Sequence, residues 1–492
     1  MNAKMKKYFD SKYSLLMGFL SGNKFFYIIL AIVVTQALWY AFNFKPTIYD
    51  EFRHFENIEI YTEQLSPILG EQKPEWDRLG NITRSGSYMY YYLMSWPLRL
   101  LQAVSDSQGF QIIGLRFINI AMFVGAVIFM RKALIQVSGF SASIVNFSLL
   151  IFALTPAAAL LAGIINYDNA AFLLFAIMLS LSVTIIKNRD KVRIDKLLYL
   201  LILGLLVSLI KYTSLALVVP LFAYLAYSLI TTHGKRLPKI LINDAKRIKP
   251  LHGVLIGLCL VVSLGFFLER PVTNTILYGR PSTSCENTMS LDRCRKFVDY
   301  SIYERIRENK SSEFQPVGYI NYIVTMWMPT MTNTMTNTLE KGSATQLPIV
   351  IKLYAWLFPI AILLILVCLR EILTDRAKIL LVAVTVGYVA ILISSEYSSY
   401  VKYGQLVGVR ARYLVPVLPI FIALAVYSIS LLLGARKYLK LVLGTIVLLS
   451  LSQGAGITTY LLTTPENIYW DRDNYSINDQ AAEVIEPFIK EN

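Results

Sequence analysis

Two adjacent carboxylates, Asp50 and Glu51, follow the first long apolar run of the chain, residues 25–44, which holds no charged residue. Arg53 and His54 follow after Phe52, and His54 is one of only three histidines in the chain. Charge this close to a membrane face costs free energy unless it is solvated or paired. The stretch is therefore either a polar collar that ends a transmembrane helix or a catalytic carboxylate at the membrane surface.

Three more polar clusters are expected at the same membrane face. A lysine inside a membrane is costly and by default marks a functional site, and a guanidinium can bind phosphate with two parallel hydrogen bonds. Together at one membrane surface, cations can bind an anionic lipid head group and a carboxylate can act as a proton acceptor. The clusters are Asn166 with Asp168, then Lys211, and then Arg410 with Arg412 and Tyr413.

Each cluster also has a structural interpretation. Asp168 can cap the following helix, Lys211 can extend from a helix end to the membrane surface, and the arginines can anchor the chain at the interface. His54 is expected to partner a nearby carboxylate rather than bind a ligand, because no second histidine stands near it. The convergence of all four clusters on one face favours the functional interpretation.

The composition requires membrane helices to position these clusters. Of the 492 residues, 55% are hydrophobic and 16% are charged, and the net charge is +15. A soluble chain carries about a quarter charged residues. Nucleic acid is excluded as the partner of the positive charge, because Lys and Arg cluster in short segments between apolar runs, as cytoplasmic loops do. The sequence therefore predicts an all-α polytopic membrane protein.

The apolar runs predict about eleven transmembrane helices in an integral membrane domain at 1–461. Two long external loops, 45–109 and 269–346, are expected to hold interfacial helices. A short polar tail at 462–492 is expected outside. The predicted spans are about 25–44, 110–130, 141–163, 170–186, two within 197–231 that meet near Lys211, 251–268, 348–369, 378–394, 413–433 and 441–461.

The orientation follows from the basic segments, which the positive-inside rule places in the cytoplasm. The segments at 187–196 and 235–249 are the most basic of them. The aromatic segment at 87–104 is kept in the first external loop, because a crossing there would move three basic segments outside. This arrangement puts all four polar clusters on the external face.

Four cysteines divide into two kinds. Cys285 and Cys294 stand together in the second external loop and are predicted to form a disulfide, which needs an oxidising compartment. Cys259 and Cys368 lie inside apolar runs and are expected to behave as small buried hydrophobes. The sequence has no Gly-rich phosphate loop and no Cys or His spacing typical of a metal site.

Several motifs follow one another along residues 25–430, and their order resembles the GT-C superfamily of glycosyltransferases that use polyprenyl-phosphate sugars. Within that group the chain is most similar to bacterial multi-pass transferases that modify cell-surface glycans. The motifs are Asp50-Glu51 with His54-Phe55, the aromatic segment, Gly114-Leu115-Arg116-Phe117-Ile118-Asn119, Thr155-Pro156, Asn166-Tyr167-Asp168, Ile210-Lys211-Tyr212-Thr213 and Arg412-Tyr413-Leu414-Val415-Pro416-Val417-Leu418-Pro419.

The resemblance implies that Asp50 is the catalytic base, with Glu51 beside it to orient Arg53 or His54 or to bind a cation with Asp168. One departure is that many members have a His-Pro-Pro motif where this chain has residues 84–88, Arg-Ser-Gly-Ser-Tyr. The implied site residues are Asp50, Glu51 and Asp168 for catalysis, Lys211, Arg410 and Arg412 for the donor phosphate, and His54, Arg84, Tyr88, Asn166 and Tyr413 for substrate contact.

The implied reaction is an inverting transfer of a sugar from undecaprenyl or decaprenyl phosphate to a cell-surface glycan, such as lipopolysaccharide, or to another lipid-linked acceptor. It would occur on the external face of the bacterial inner membrane. Cations stabilise the departing phosphate, and a carboxylate takes the proton of the acceptor hydroxyl. The resemblance implies no certain cofactor. The carboxylates can bind a divalent cation, and members of the superfamily differ in this respect.

Two other classes stay open. A polysaccharide or O-antigen polymerase or ligase would also use a large external loop and arginines, but it lacks the acidic pair directly after the first helix. A lipid-linked glycan flippase or transporter usually shows internal repeats and paired broken helices. The sequence shows no repeat, and only the region of Lys211 looks broken.

Overall fold

The computed structural model describes residues 3–48, 50–311, 313–336, 349–452 and 456–489. Within these ranges 79% of the residues are helical and no strand is found. The helices are α1 (Ala3–Ser21), α2 (Asn23–Asn43), α3 (Glu51–Thr62), α4 (Met89–Val104), α5 (Gln108–Ile135), α6 (Ala142–Ala153), α7 (Pro156–Ala162), α8 (Tyr167–Lys187), α9 (Ile194–Ile210), α10 (Leu215–His233), α11 (Leu237–Ala245), α12 (Pro250–Tyr278), α13 (Cys285–Thr288), α14 (Leu291–Arg295), α15 (Val298–Glu308), α16 (Tyr319–Tyr322), α17 (Met328–Thr336), α18 (Ile349–Val367), α19 (Leu369–Ile372), α20 (Arg376–Tyr403), α21 (Leu418–Leu433), α22 (Lys437–Ser452), α23 (Thr458–Thr463) and α24 (Arg472–Ile489).

Shorter helical turns join some of these helices. A π-helical turn, Ile323–Trp327, connects α16 to α17. The 3₁₀ turns are Pro74–Leu79, Ile82–Arg84, Tyr212–Ser214, Gly234–Arg236, Ala411–Leu414 and Glu466–Ile468.

Six helical stretches among the described residues are long and apolar enough to cross a membrane, or seven if the bent pair α6 and α7 counts as one span. Long apolar helices suit a bilayer because every backbone polar group is satisfied within the helix. The fold is compatible with the predicted all-α polytopic membrane protein, and the predicted count of eleven spans is not confirmed. The six are Asn23–Asn43, Gln108–Ile135, Tyr167–Lys187, Tyr212–Ala245, Pro250–Tyr278 and Arg376–Tyr403.

The span predicted at 141–163 consists of two helices, α6 and α7, which meet at an angle of 77°. Pro156 occupies the first turn of α7, where its missing N–H needs no partner, and the residue before a proline is disfavoured in helical conformation. The bend brings Gly163, at the end of α7, against α2. A Cβ atom at Gly163 would lie 2.6 Å from the carbonyl oxygen of Ala37.

Two helices extend beyond their predicted ends and shorten the loops that follow them. Helix α12 continues to Tyr278, and α20 continues to Tyr403, and each ends at a glycine in the left-handed region. The second long loop therefore begins after Tyr278 rather than at 269, and part of it, 337–348, lies outside the described residues.

The two cysteines outside the disulfide differ in exposure. Cys368 is buried, as predicted, but Cys259 is exposed, so the prediction of a buried Cys259 is wrong. Cys259 belongs to α12, of whose most apolar stretch only 11% is buried inside the molecule. An apolar helix that lies at the edge of a membrane protein can face lipid, so apolar sequence alone does not show burial in the protein.

The end of the chain also differs from its predicted form. The span predicted at 441–461 is divided between α22 and α23, and residues 453–455 lie outside the described part. The predicted tail at 462–492 contains α24, which packs on the end of α2. Trp39 Nε1 donates to Asn478 Oδ1 over 3.0 Å, and the N–H of Trp470 donates to the carbonyl of Asn43 over 2.9 Å.

Polar contacts identify the helix ends that lie together at one side of the molecule. Arg376, at the start of α20, donates to Thr232 Oγ1 near the end of α10 over 2.6 Å. The N–H of Ile194, at the start of α9, donates to Asp244 Oδ2 in α11 over 2.7 Å. We call this side the basic end, and it includes residues 187–196, 232–249 and 370–376.

The two long loops pack on each other at the opposite side. Arg293, in α14, donates to both carboxylate oxygens of the buried Asp77 over 2.8 and 2.9 Å. A disulfide joins Cys285 to Cys294 with their Cα atoms 5.7 Å apart, in agreement with the sequence prediction. Helix α4 has 16 residues and is not among the candidate spans, and its predicted place in the first external loop stays a prediction.

Candidate functional site

Asp50 begins the site with an unusual backbone. Its φ of 62° and ψ of 20° lie in the left-handed region, and within the described residues no other non-glycine residue has a positive φ. Such a conformation costs on the order of 1–3 kcal/mol and persists only where the surroundings hold it. Here the N–H of His54 bonds to the Asp50 carbonyl over 3.0 Å, and Ile48 is buried on the other side. The left-handed residue thus lies in the connection from α2 to α3, directly before α3 begins.

The carboxylate of Asp50 is held by arginines but stays open to solvent. Arg412 Nη2 lies 3.1 Å from Asp50 Oδ2, and Arg53 Nη2 lies 3.8 Å from Oδ1. Burial alone would raise the pKa of Asp50, but the charges of Arg412 and Arg53 outweigh it and lower the pKa. The Asp50 side chain is 44% exposed, whereas that of Arg412 is 9% exposed. Asp50 is thus an ionised, accessible carboxylate above a buried cation.

A second ion pair joins Lys211 to Asp168 beside the first. Lys211 is the residue at which α9 ends, and its Nζ donates to Asp168 Oδ1 in the first turn of α8. Both side chains are buried, at 10% and 7% exposure. The ammonium also lies 4.7 Å from the ring centroid of Tyr413 and 5.2 Å from that of Tyr167. A cation over aromatic rings gains further electrostatic stabilisation.

The Asp168–Lys211 pair and Arg412, the partner of Asp50, line one small pocket. The chain reaches it from the first turn of α8, the break between α9 and α10, and the turn before α21. Tyr388, in α20, also lines the pocket and donates through its hydroxyl to the carbonyl of Tyr413 over 2.6 Å. The polar and aromatic residues that line it are Asp168, Lys211, Thr213, Ser214, Tyr388, Arg412 and Tyr413.

Glu51 faces away from this pocket and makes contacts that the sequence did not predict. Its two oxygens accept from Arg116 Nε and Nη2 over 2.8 and 2.7 Å, and Oε1 also accepts from the N–H of Ile165 over 2.8 Å. Both side chains of the pair are fully buried. The expected contacts from Glu51 to Arg53 or His54 are therefore wrong. The pair fastens α3 to α5 and to the loop before α8.

His54 lies behind the pocket with a tyrosine as its partner, not the carboxylate that was expected. Its Nδ1 is 3.0 Å from the hydroxyl of Tyr91, and its ring meets that of Tyr167 edge to face at 4.7 Å. Burial, with the nearby charge of Arg412, lowers the pKa of His54 to about 3. The imidazole is neutral at physiological pH and serves to position α3 against α4 and α8.

Asn166 takes the capping role that one interpretation gave to Asp168. Its Oδ1 accepts from the N–H of Asp168 over 2.9 Å, which is the usual geometry of a residue that caps a helix N-terminus. The Asp168 carboxylate is thereby left to pair with Lys211. Asn166 is fully buried in this arrangement.

Besides Glu51, three more of the predicted site residues lie elsewhere. Arg84 and Tyr88 line a neighbouring pocket together with Arg270. The side chain of Arg410 is exposed just before the turn that carries Arg412. The structure therefore brings together Asp50, Asp168, Lys211, Arg412 and Tyr413, with His54 and Asn166 behind them.

The sequence reasoning missed the roles of Arg116, Arg270 and the pair of Arg53 with Asp299. Arg53 Nη1 lies 2.6 Å from Asp299 Oδ2, so the second loop reaches the site. Arg116 interrupts an apolar helix in the way that Lys211 does, so the same rule about charge in membranes could have identified it. The contact to Asp299 has no such signal, because it joins residues 246 positions apart.

The described part of the chain contains no group of three or more His, Cys, Asp or Glu side chains placed to hold a metal ion. Glu51 and Asp168 are each committed to a cation of the protein. Binding of a divalent cation at the site therefore stays a prediction, and the described residues do not supply a set of ligands for it.

No known family model and no curated protein matches the chain. The arrangement of charges at the site is therefore the basis on which a function can be proposed.

Proposed function

We propose that the protein is a membrane glycosyltransferase that moves a sugar from a polyprenyl phosphate to a glycan or glycolipid acceptor. One observation carries the proposal: two carboxylates and two cations from four separate segments meet at one end of the helices. A membrane-surface site of this kind suits a donor whose lipid tail stays in the bilayer while its phosphate reaches the cations.

Lys211 and Arg412 are the proposed ligands of the donor phosphate. Each is buried and is already oriented by a carboxylate, so little reorganisation is needed when the phosphate arrives. As the bond between the anomeric carbon and the phosphate oxygen breaks, negative charge grows on that oxygen, and these cations stabilise it. The product that leaves is polyprenyl phosphate.

Asp50 is the proposed general base because it is the open carboxylate of the site. Its side chain is 44% exposed, compared with 7% for Asp168 and 0% for Glu51. It is ionised at neutral pH because the pKa is lowered. The hydroxyl of the acceptor becomes acidic as its oxygen bonds to the anomeric carbon, so even a weakly basic carboxylate can take the proton. Attack from the side opposite the phosphate inverts the anomeric carbon.

In the proposed orientation, the site lies on the external face of a bacterial inner membrane, away from the cytoplasm. The basic end lies opposite the site, and the positive-inside rule assigns it to the cytoplasm. We also propose that the chain crosses the membrane eleven times. Shorter helices such as α21, about 24 Å long, would cross it together with the turns that adjoin them. The crossings are α2, α5, α6 with α7, α8, α9, α10, α12, α18, α20, α21 and α22.

The test is a reconstitution with a labelled polyprenyl-phosphate sugar in proteoliposomes. A glycosyltransferase consumes the donor, releases polyprenyl phosphate and labels a glycolipid acceptor. A flippase would move the donor between leaflets and leave it chemically intact, which would contradict the proposal. A polymerase or ligase would act on lipid diphosphate donors and leave the monophosphate unused.

A further inference from the structure

A second pocket lies on the other side of the turn that carries Lys211. Tyr212 lines this pocket, whereas its neighbours Lys211 and Thr213 line the first one. The N–H of Tyr212 donates to Ser87 Oγ over 2.9 Å, and Gly86 lies so close that a Cβ there would be 3.1 Å from the ring. The two pockets are thus separated by one short, firmly held segment.

A buried arginine and a half-buried arginine give the second pocket a positive charge. Arg270, in α12, is 2% exposed, and its Nε lies 3.1 Å from the carboxylate of its sequence neighbour Glu269. Its hydrogen bonds, to Glu269 and to the Leu69 carbonyl, are long at 3.5 and 3.4 Å. Arg84 adds a second guanidinium. Two cations against one carboxylate leave a net positive charge that favours an anionic ligand.

An amide in the same pocket has an acceptor to offer. Asn274 is 1% exposed, and its Nδ2 donates to the carbonyls of Arg84 and Pro281 over 3.3 Å each. Its Oδ1 is buried and accepts no hydrogen bond from the described residues. Because an unsatisfied buried acceptor is costly, a ligand that donates there, such as a hydroxyl, would be stabilised.

Aromatic rings complete a surface on which a sugar can lie. Tyr88 is buried, donates to the carbonyl of Phe266 over 3.0 Å and stands 5.4 Å from the Arg270 guanidinium. Tyr212 and Phe267 contribute further rings to the pocket. Rings of this kind present flat apolar faces next to polar groups.

We propose that this pocket binds an anionic sugar, with its phosphate or carboxylate on Arg270 and Arg84 and a hydroxyl on Asn274. The proposal rests on the proposed function, since it makes the sugar the head group of the acceptor. Bound here, the acceptor sits next to the donor pocket across the Tyr212 segment. The sequence predicted that Arg84 and Tyr88 contact substrate. In this proposal the substrate that they contact is the acceptor, through its anionic sugar.

The experiment measures binding to the full chain in detergent by thermal shift and titration. The probes are glucose 6-phosphate, glucuronate, glucose, inorganic phosphate and dispersed phosphatidate. The two anionic sugars are expected to bind, and glucose is expected to bind about tenfold or more weakly because it lacks the charge. Equal binding of glucose and glucose 6-phosphate would overturn the proposal. Stronger binding of phosphatidate or of phosphate alone would also overturn it, in favour of a lipid or a free ion.

Variants locate the binding. Arg84→Gln and Arg270→Gln should each weaken glucose 6-phosphate binding about tenfold or more, whereas Arg280→Gln, at an exposed position nearby, should leave it unchanged. Arg84 is the safer variant if loss of the buried Arg270 prevents folding. Unchanged binding in folded Arg84→Gln and Asn274→Leu proteins would remove the ligand from this pocket.

Binding of polyprenyl phosphate, measured in parallel, separates this proposal from the proposed function. It should be retained in Arg84→Gln and weakened in Lys211→Met. If Lys211→Met binds polyprenyl phosphate normally while Arg84→Gln loses the anionic sugar, the donor site is wrong and the sugar pocket stands.

Discussion

Asp50 and Glu51 show how two adjacent carboxylates acquire different environments. Asp50 precedes α3 with a left-handed backbone, and Glu51 is the first residue of the helix, so the two side chains point in different directions. Asp50 meets Arg412 and solvent, and Glu51 meets Arg116 in the interior. The same charge is therefore available for chemistry at one position and committed to the fold at the next.

Loss of the Glu51 carboxylate should destabilise the protein. In Glu51→Gln the buried charge of Arg116 loses its partner, and breaking a buried ion pair in this way typically costs about 3–5 kcal/mol. Thermal unfolding of the purified protein in detergent measures the effect. The matched control is Asp50→Asn, which alters a half-exposed carboxylate and should shift the unfolding temperature far less.

A different result would return Glu51 to the chemistry. If Glu51→Gln unfolds at the wild-type temperature and yet transfers no sugar, its carboxylate takes part in the reaction. The structure instead predicts that Glu51→Gln loses stability. A double replacement, Glu51→Met with Arg116→Met, should recover part of that stability, because no unpaired buried charge then remains.

The polar residues of the site could be predicted from the sequence, but their partners could not. Asp50, Asp168, Lys211 and Arg412 stand at the ends of apolar runs, where a charge is costly unless it is paired or functional. Their pairing depends on which helix ends meet in space, and hydrophobicity along the chain carries no such information. The burial of Glu51 illustrates this limit, because its sequence position is as polar as that of Asp50.

At the scale of elements, the bend between α6 and α7 positions the site. It carries the chain across the end of α2 and into residues 164–166, where the N–H of Ile165 bonds to Glu51 and Asn166 caps α8. The sequence shows the proline that ends α6 but not the direction of the next helix. The span predicted at 141–163 is therefore bent by 77° rather than one continuous helix.

Replacement of Gly163 by alanine should disturb both stability and the site. Its Cβ would lie 2.6 Å from the Ala37 carbonyl and 2.7 Å from Tyr40 Cβ, so α7 must move away from α2. Forced overpacking costs roughly 1–3 kcal/mol, which thermal unfolding can detect. The control is Gly265→Ala in α12, where a Cβ meets nothing within 4 Å. Equal unfolding temperatures for the two variants would contradict the close packing of α7 on α2.

Long helices were the most predictable elements, and the loops were the least. The ends of α2 and α8 fall within a few residues of their predicted positions, because an uninterrupted apolar run defines a helix without reference to its neighbours. The contacts of α24 with α2 could not be predicted, since a polar, amphipathic tail gives no sign of where it packs.

At the scale of the whole molecule, the basic end and the charged residues of the candidate site are far apart. The basic end and the candidate site lie at opposite ends of α8 and α9, because Asp168 and Lys211 pair at one end and the segment 187–196 joins the helices at the other. This division is the physical basis of the proposed orientation, in which the site faces outward.

Labelling of single cysteines tests the orientation. In a background with Cys259 and Cys368 replaced by alanine and the disulfide kept, Asp190→Cys and Arg305→Cys add one exposed thiol each. A membrane-impermeant maleimide should label position 305 in intact spheroplasts and should label position 190 only after permeabilisation. Labelling of position 190 from outside would reverse the assignment of the two ends.

The most direct test of the glycosyltransferase account is the single-turnover rate of sugar transfer by Asp50→Asn, measured together with its affinity for polyprenyl phosphate. Asparagine tolerates the left-handed backbone of this position and keeps the shape of the side chain, so only the charge is lost. If Asp50 is the general base, the rate falls about 10²–10⁴-fold while the donor affinity is nearly unchanged. Transfer by Asp50→Asn at close to the wild-type rate would contradict the account.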